Sequence, residues 1–265
     1  MARPMDLSGK YVVVTGGAAG LGKAFVDELL ARGAKPIVLD IDPTDQETVP
    51  FFKVDVNDPG AIAEAATDIE QRLGPIDLLI ANAATDITAE THTLTSEDWG
   101  RVIGTNLLGV SHMITAIYPS MVARRQGQIL IVSSGAAIIG FPMGLPYTAS
   151  KGALSVMAKA LRSEARLHGV KVNLATIPQL ANGLCERDLA KPGIDRQAFL
   201  SSLPGNAMNT HKAARRILDD ACRNRAHIVF PFQQALAYWL LLAIPPLAES
   251  VRRNIVAIFH KKGRT

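Results

Sequence analysis

Short apolar runs rich in β-branched residues alternate with longer amphipathic stretches along most of this chain, and few folds tolerate that alternation. Tyr11–Thr15 (YVVVT) leads into an amphipathic stretch at Lys23–Arg32, and Pro36–Asp40 (PIVLD) and Phe51–Val56 (FFKVDV) follow. Pro59–Leu73 reads as a helix and Ile76–Ala81 (IDLLIA) as a strand; Ser96 caps a short helix near Trp99. The pattern continues with a helix over Thr105–Arg124, a strand over Gly127–Ser133, a helix over Tyr147–His168 and a strand over Val170–Ile177. Strands separated by helices pair in parallel, because a crossover must return the chain to the same end of the sheet. IDLLIA is apolar almost throughout, as a strand covered on both faces requires. The expectation is an α/β fold, a doubly wound parallel sheet, in a single domain at 1–230 with a C-terminal helical extension at 231–265.

Such sheets bind ligands beyond the carboxyl ends of their strands. The loop TGGAAGLG follows the first strand directly. There Gly16 permits a tight turn, Gly20 a close backbone approach to a pyrophosphate, and Gly22 close helix–strand packing. The helix that begins there offers free N–H groups and the positive end of its dipole. The spacing is G-x3-G-x-G rather than G-x-G-x-x-G, and a plain glycine turn would look similar; the position after the first strand favours a nucleotide. Asp40 ends the second strand, where a carboxylate accepts bonds from ribose hydroxyls and repels a 2′-phosphate. No Arg or Lys follows Asp40 immediately or lies within the loop. The expected cofactor is therefore NAD, with Asp55 at the adenine amino group.

The stretch SSGAAIIGFPMGLPYTASK carries Tyr147 and Lys151 four residues apart, with Ser134 thirteen positions before the tyrosine. On a helix, positions i and i+4 share a face. A phenol with an ordinary pKa of about 10 is a poor base at neutral pH, and a neighbouring ammonium favours its ionised form. Tyr147 could then exchange a proton with an alcohol while Ser134 holds the substrate oxygen. A Tyr and a Lys so spaced are more often a solvated pair, and YxxxK alone has many chance matches.

With these residues in place, the chain resembles the short-chain dehydrogenase/reductase family over roughly residues 8 to 180. The resemblance implies a Rossmann fold and these roles: Tyr147 as general acid/base, Ser134 orienting and polarising the carbonyl or alcohol, and Lys151 lowering the tyrosine pKa and binding the nicotinamide ribose. Asn106 would hold, through its main chain, a water that links Lys151 to solvent. Cofactor contacts would come from Gly16, Gly20, Leu21, Gly22, Asp40, Asp55, Val56, Asn82, Tyr147, Lys151 and Pro178. Two departures stand out. Ala81-Asn82-Ala83-Ala84 keeps one asparagine where the family often has two followed by a glycine. After Pro178 the family's Gly is Gln179, and its carboxamide-binding Thr is Gly183, next to Asn182. The expected activity is NAD-dependent hydride transfer between nicotinamide and a secondary alcohol or ketone. A catalytically weak nucleotide-binding regulator on the same fold is the rival, disfavoured by the intact Asn106, Ser134, Tyr147 and Lys151. Epimerases and dehydratases of this type usually carry a larger substrate domain.

Apolar residues make up 48% of the 265, enough for a large core. The net charge is +4, and the basic residues are not gathered with aromatics, which argues against nucleic acid. Cys185 and Cys222 form no metal spacing and no disulfide framework, so a reducing, cytoplasmic setting without metal is expected. The N-terminus has no signal-peptide pattern. Leu184–Leu203 is polar and reads as a mobile substrate lid, within about 180–205. Ile138–Pro146 (IIGFPMGLP) is apolar and suits a hydrophobic alcohol or ketone. Thr210–Asn224 is a basic amphipathic helix, and Ile228–Phe230 the last strand. Ile228–Ala248 carries no charge and is followed by Arg252-Arg253 and HKKGR. A spanning helix needs about 20 apolar residues, and Pro231, Pro245 and Pro246 interrupt this run. Tyr238 and Trp239 suit a membrane interface. The tail is expected to meet either a membrane surface, peripherally, or a second subunit of a homo-oligomer.

Overall fold

A computed structural model describes residues 4–181, 189–203 and 207–264. Seven strands form one sheet: β1 (Tyr11–Thr15), β2 (Lys35–Asp40), β3 (Phe51–Lys53), β4 (Leu78–Ala81), β5 (Gly127–Ser134), β6 (Val170–Ile177) and β7 (His227–Val229). Their order is β3-β2-β1-β4-β5-β6-β7, and every pairing is parallel. The order reverses between β1 and β4, the point at which such sheets open a crevice for ligand.

Helices cover both faces. On one, α1 (Gly20–Ala31) and α8 (Thr210–Cys222) bury Phe25, Leu29, Ile217 and Leu218 against Val12, Val14 and Ile80. On the other, α2 (Pro59–Arg72), α4 (Gly109–Arg124) and α6 (Leu145–Ala165) bury Ile62, Ile69, Met113, Ile117 and Leu154 against Val13, Leu79 and Ile131. Val12, Val13 and Val14 are therefore covered from both sides, which explains the unbroken apolar run. Local signals place the helix starts. Asp58 accepts from Ala61 N, with Pro59 at the first helical position of α2. Thr95 and Asp98 form a reciprocal capping box at α3 (Ser96–Ile103).

Several boundaries differ from expectation. The third strand ends at Lys53, so Asp55 and Val56 lie just beyond it. The helix expected over Thr105–Arg124 is instead a π turn, Gly104–Leu108, followed by α4, and Asn106 sits inside the turn. Such one-turn bulges are frequent at functional sites. The last strand is His227–Val229, one residue earlier than expected. The expected lid is described from Leu189 onward: Leu189–Ala190 pair with Ile87–Thr88, and α7 (Arg196–Ser201) follows. Asn182, Gly183 and Cys185 lie outside the described residues.

The tail forms two helices, α9 (Phe232–Ala243) and α10 (Pro245–Lys262), bent by 112°. The break falls where Pro245 and Pro246 remove main-chain donors. Among the described residues, no single helix is long and apolar enough to cross a membrane.

Candidate active site

The parallel sheet brings the expected residues to one edge. Thr15, Asp40 and Ser134 close their strands, Gly16 and Asn82 follow β1 and β4, and Pro178 follows β6. Gly16 and Gly20 have φ of +64° and +54°, the left-handed region that favours glycine. A Cβ on Gly22 would stand 1.8 Å from Gly16 O, so only hydrogen fits there. A Cβ on Gly20 would meet nothing within 4 Å, leaving an open cradle above the loop. The N-cap of α1, Ala19, contributes no side-chain cap, and buried Leu21 anchors the first turn. An anion fits such a helix start.

Three side chains hold this loop. Asp40 accepts from Ala18 N at 3.0 Å and Asp42 N at 3.2 Å. Thr15 Oγ1 accepts from the main-chain N–H of Asn82 and Ala83, both at 3.0 Å. The Asn82 amide donates to Thr15 O at 3.1 Å and Gly16 O at 3.4 Å. Asn82 thus positions the loop that would receive the cofactor. Asp55 accepts from the main chain and side chain of Asn57, at 2.9 and 2.8 Å. The Val56 carbonyl lies 3.0 Å from His112 Nδ1.

The Tyr–Lys pair is not a solvated one. Tyr147 lies in the first turn of α6 and is half-buried, while Lys151 is 2% exposed. The Lys151 ammonium donates to Val132 O at 3.0 Å and sits 5.6 Å from the centre of the Tyr147 ring. A buried ammonium requires compensation, and it receives part of it from that carbonyl of β5. Ser134, half-buried at the end of β5, accepts from Ala136 N at 3.2 Å. Asn106 is fully buried in the π turn. It accepts from Thr85 N at 2.8 Å and donates to Thr85 O and Ser150 Oγ at 2.9 and 3.0 Å. It ties the segment after β4 to the helix that carries Tyr147 and Lys151.

The sequence model of the family described as short chain dehydrogenase matches residues 10–181. The chain belongs to the short-chain dehydrogenase family. It is 31% identical over 213 residues to the 3-oxoacyl-[acyl-carrier-protein] reductase FabG of Thermotoga maritima, covering 76% of this chain and 85% of that one. It is 30% identical over 236 residues to the 3-ketodihydrosphingosine reductase of Mus musculus, covering 83% of this chain and 70% of that one. A short-chain dehydrogenase from Streptomyces avermitilis shares the fold at a TM-score of 0.76 and 22% identity, over 96% of this chain and 97% of that one. These relatives are dehydrogenases and reductases, which places the chain among oxidoreductases.

Three further side chains of this short-chain dehydrogenase meet the site: sequence reasoning did not single out Asp86 or Arg196, and it assigned Tyr238 to a membrane interface, whereas the structure buries it at 6% exposure. Asp86 follows β4 and pairs with Arg196 of α7 at 3.3 Å. Arg196 also donates to Thr88 Oγ1 at 3.0 Å, so α7 is clamped to the segment after β4. Burial pushes the Asp86 carboxyl above its ordinary range, while Arg196 and the Lys151 ammonium oppose that rise. Tyr238 of α9 presses its hydroxyl against Gly135, where a Cβ would stand 1.8 Å from it. Asp86 was one acid in a polar loop and Tyr238 one aromatic in an apolar run, and neither carries a spacing signal. The Gln179 departure has a structural use: its amide donates to Leu200 O of α7 at 3.1 Å.

A separate apolar cluster joins α7, α10 and the segment between β5 and α6. Phe199 of α7 meets Phe259 of α10 edge-on at 5.1 Å and Phe141 at 6.0 Å. Ile139, Met143 and Ile255 join it. The tail therefore packs on α7 and on the segment between β5 and α6 instead of standing apart.

Proposed function

We propose that the protein is an NAD(H)-dependent oxidoreductase that interconverts a ketone and a secondary alcohol on an apolar substrate, with Tyr147 as the general acid/base. The observation that carries this reading is the buried Lys151 ammonium beside the Tyr147 ring. In reduction, the Tyr147 hydroxyl gives its proton to the carbonyl oxygen, and Lys151 stabilises the phenolate left behind; oxidation reverses the transfer. Ser134 donates a hydrogen bond to the same oxygen and holds it toward Tyr147. The bound nicotinamide supplies or accepts the hydride. Asn106 keeps α6 and the segment after β4 in register, so that the proton-transferring groups stay aligned.

Asp40 supports NAD over NADP. Its carboxylate is fixed on the glycine loop, and residues 41–48 contain acids but no Arg or Lys to receive a 2′-phosphate. Lys23 nearby is engaged with Asp45 at 2.6 Å. The half-buried Ile139, Phe141 and Met143, on the segment that leads into α6, support an apolar substrate. The relatives named for a 3-oxoacyl and a 3-keto group favour a ketone carried on a chain.

The test is turnover of NADH and NADPH with a series of 3-keto compounds of increasing chain length. Activity should rise with chain length and favour NADH, and Asp40→Ala should narrow the preference between coenzymes. A wild-type enzyme that prefers NADPH would overturn the cofactor assignment. NADH binding without turnover of any compound in the series would support the regulatory reading instead.

A further inference from the structure

The helix pair α9–α10 has two unlike sides. Its inner side is buried against the body of the protein through Tyr238, Ala248, Ile255 and Phe259. Its outer side exposes Phe232, Leu236, Trp239, Leu242, Ile244 and Leu247, with Phe232 at 78% and Trp239 at 62%. Leu242–Leu247 are exposed at six consecutive positions. One face of a helix repeats every three or four residues, so an unbroken run means that the corner projects. Residues 228–248 contain no charge.

The main chain at this corner is unusually closed. Ile244 N donates to Leu240 O at 2.9 Å, and Leu247 N and Ala248 N donate to Ile244 O at 3.0 and 3.2 Å. Pro245 and Pro246 have no N–H to satisfy. The tip can therefore leave water without stranding a donor, the condition that an apolar lipid environment imposes on backbone. Beyond Glu249, which is paired with Arg252 at 2.7 Å, no acid remains in the sequence. There α10 exposes Arg253, His260, Lys261 and Lys262.

We propose that the α9–α10 corner is a docking surface for an anionic lipid bilayer. Its apolar tip enters the headgroup region while the basic flank of α10 meets the anionic headgroups. A second copy of the chain fits less well. A twofold contact would bring the same basic flank together from both sides, and a projecting corner offers little of the ~800 Å² per partner that a stable protein interface buries. The inner side of the same pair touches the active-site segment. Arg252 Nη1 donates to Ile139 O at 3.1 Å, and Tyr238 packs on Gly135. Docking thus sets the pocket beside the bilayer. That consequence for an apolar substrate rests on the function proposed above; the docking itself does not.

The experiment is cosedimentation of the full chain with phosphatidylserine/phosphatidylcholine vesicles and with phosphatidylcholine vesicles, without substrate or cofactor. Wild type should pellet with the anionic vesicles, and high salt should release part of it. Trp239→Asp with Leu242→Asp should lower the partition at least about tenfold. Arg253→Glu with Lys261→Glu should selectively weaken binding to the anionic vesicles. It also provides an independent arm if the first pair disturbs folding, as judged by thermal melting. Wild type that stays in the supernatant with anionic vesicles overturns the proposal, as does a folded Trp239/Leu242 variant that binds like wild type. Light scattering that shows a dimer split by the same variant, with no vesicle binding by wild type, would make the corner a subunit interface and refute lipid docking.

Discussion

The first turn of α6 and the middle of α9 each bring a tyrosine to the carboxyl edge of the sheet, in opposite surroundings. Tyr147 is half-buried with the Lys151 ammonium 5.6 Å from its ring. Tyr238 is 6% exposed, and its hydroxyl accepts from Gln234 Nε2 at 2.5 Å. Burial pushes the Tyr238 phenol up to about 12. Dehydration alone makes a phenol harder to ionise, whereas a nearby cation favours the phenolate. The comparison teaches that one residue type meets opposite electrostatic surroundings according to the charge placed beside it, and only Tyr147 has the setting that the proposed proton transfer requires. It also shows why the two helices tolerate different exposure. α6 carries the buried Lys151 ammonium, whereas α9 carries no charged residue.

The sharpest way to break the contrast is to remove each hydroxyl. Tyr147→Phe should lower kcat by roughly a thousandfold, within the range for loss of a general acid/base, with NADH binding retained. Tyr238→Phe should leave kcat within about threefold. Comparable losses in steady-state assays of the two variants would mean that the ammonium does not distinguish them. A second test targets the contact that holds α9 in place. Gly135→Ala puts a methyl where the Tyr238 hydroxyl already sits. It should cost about 1–3 kcal/mol in denaturant unfolding, and adding Tyr238→Phe should restore part of it as a measurable coupling.

A third test uses pH. The folded Tyr238 pKa lies above the ordinary phenol value, so its contribution to stability is complete below pH ~10 and is lost as pH rises through ~12. By pH ~11, wild type should have lost roughly 1 kcal/mol relative to Tyr238→Phe. Parallel stability curves for the two proteins would refute the buried phenol. The smallest expected effect is at the contact between Gln179 and α7. Gln179→Gly restores the family's residue but removes the bond to α7. It should cost ~0.5–1 kcal/mol and raise the KM for substrate by about twofold, leaving kcat unchanged.

Much of the sheet was legible because its signals are local. Val12–Val14 and Leu78–Ala81 are apolar runs too short for helices, and the glycines and Asp58-Pro59 mark where helices start. The candidate site was legible for the same reason, since Gly16, Asp40, Asn82 and Ser134 each stand at a strand's end. What stayed hidden lacks a spacing. The π turn at Asn106 inserts a residue without changing the composition of the helix. Asp86 and Arg196 lie 110 positions apart, and nothing in either neighbourhood points to the other.

The sequence by itself determined the alternation, the parallel sense of the sheet and the edge at which chemistry could occur, because apolar periodicity and turn residues act over a few positions. Only the tertiary structure decided that Lys151 is buried instead of solvated, that α7 is clamped through Asp86, and that the tail packs one side on the active-site segment while exposing the other. Those outcomes depend on which surfaces the folded sheet leaves open. Burial and electrostatic pairing are properties of the whole packed chain, and no window of sequence contains them.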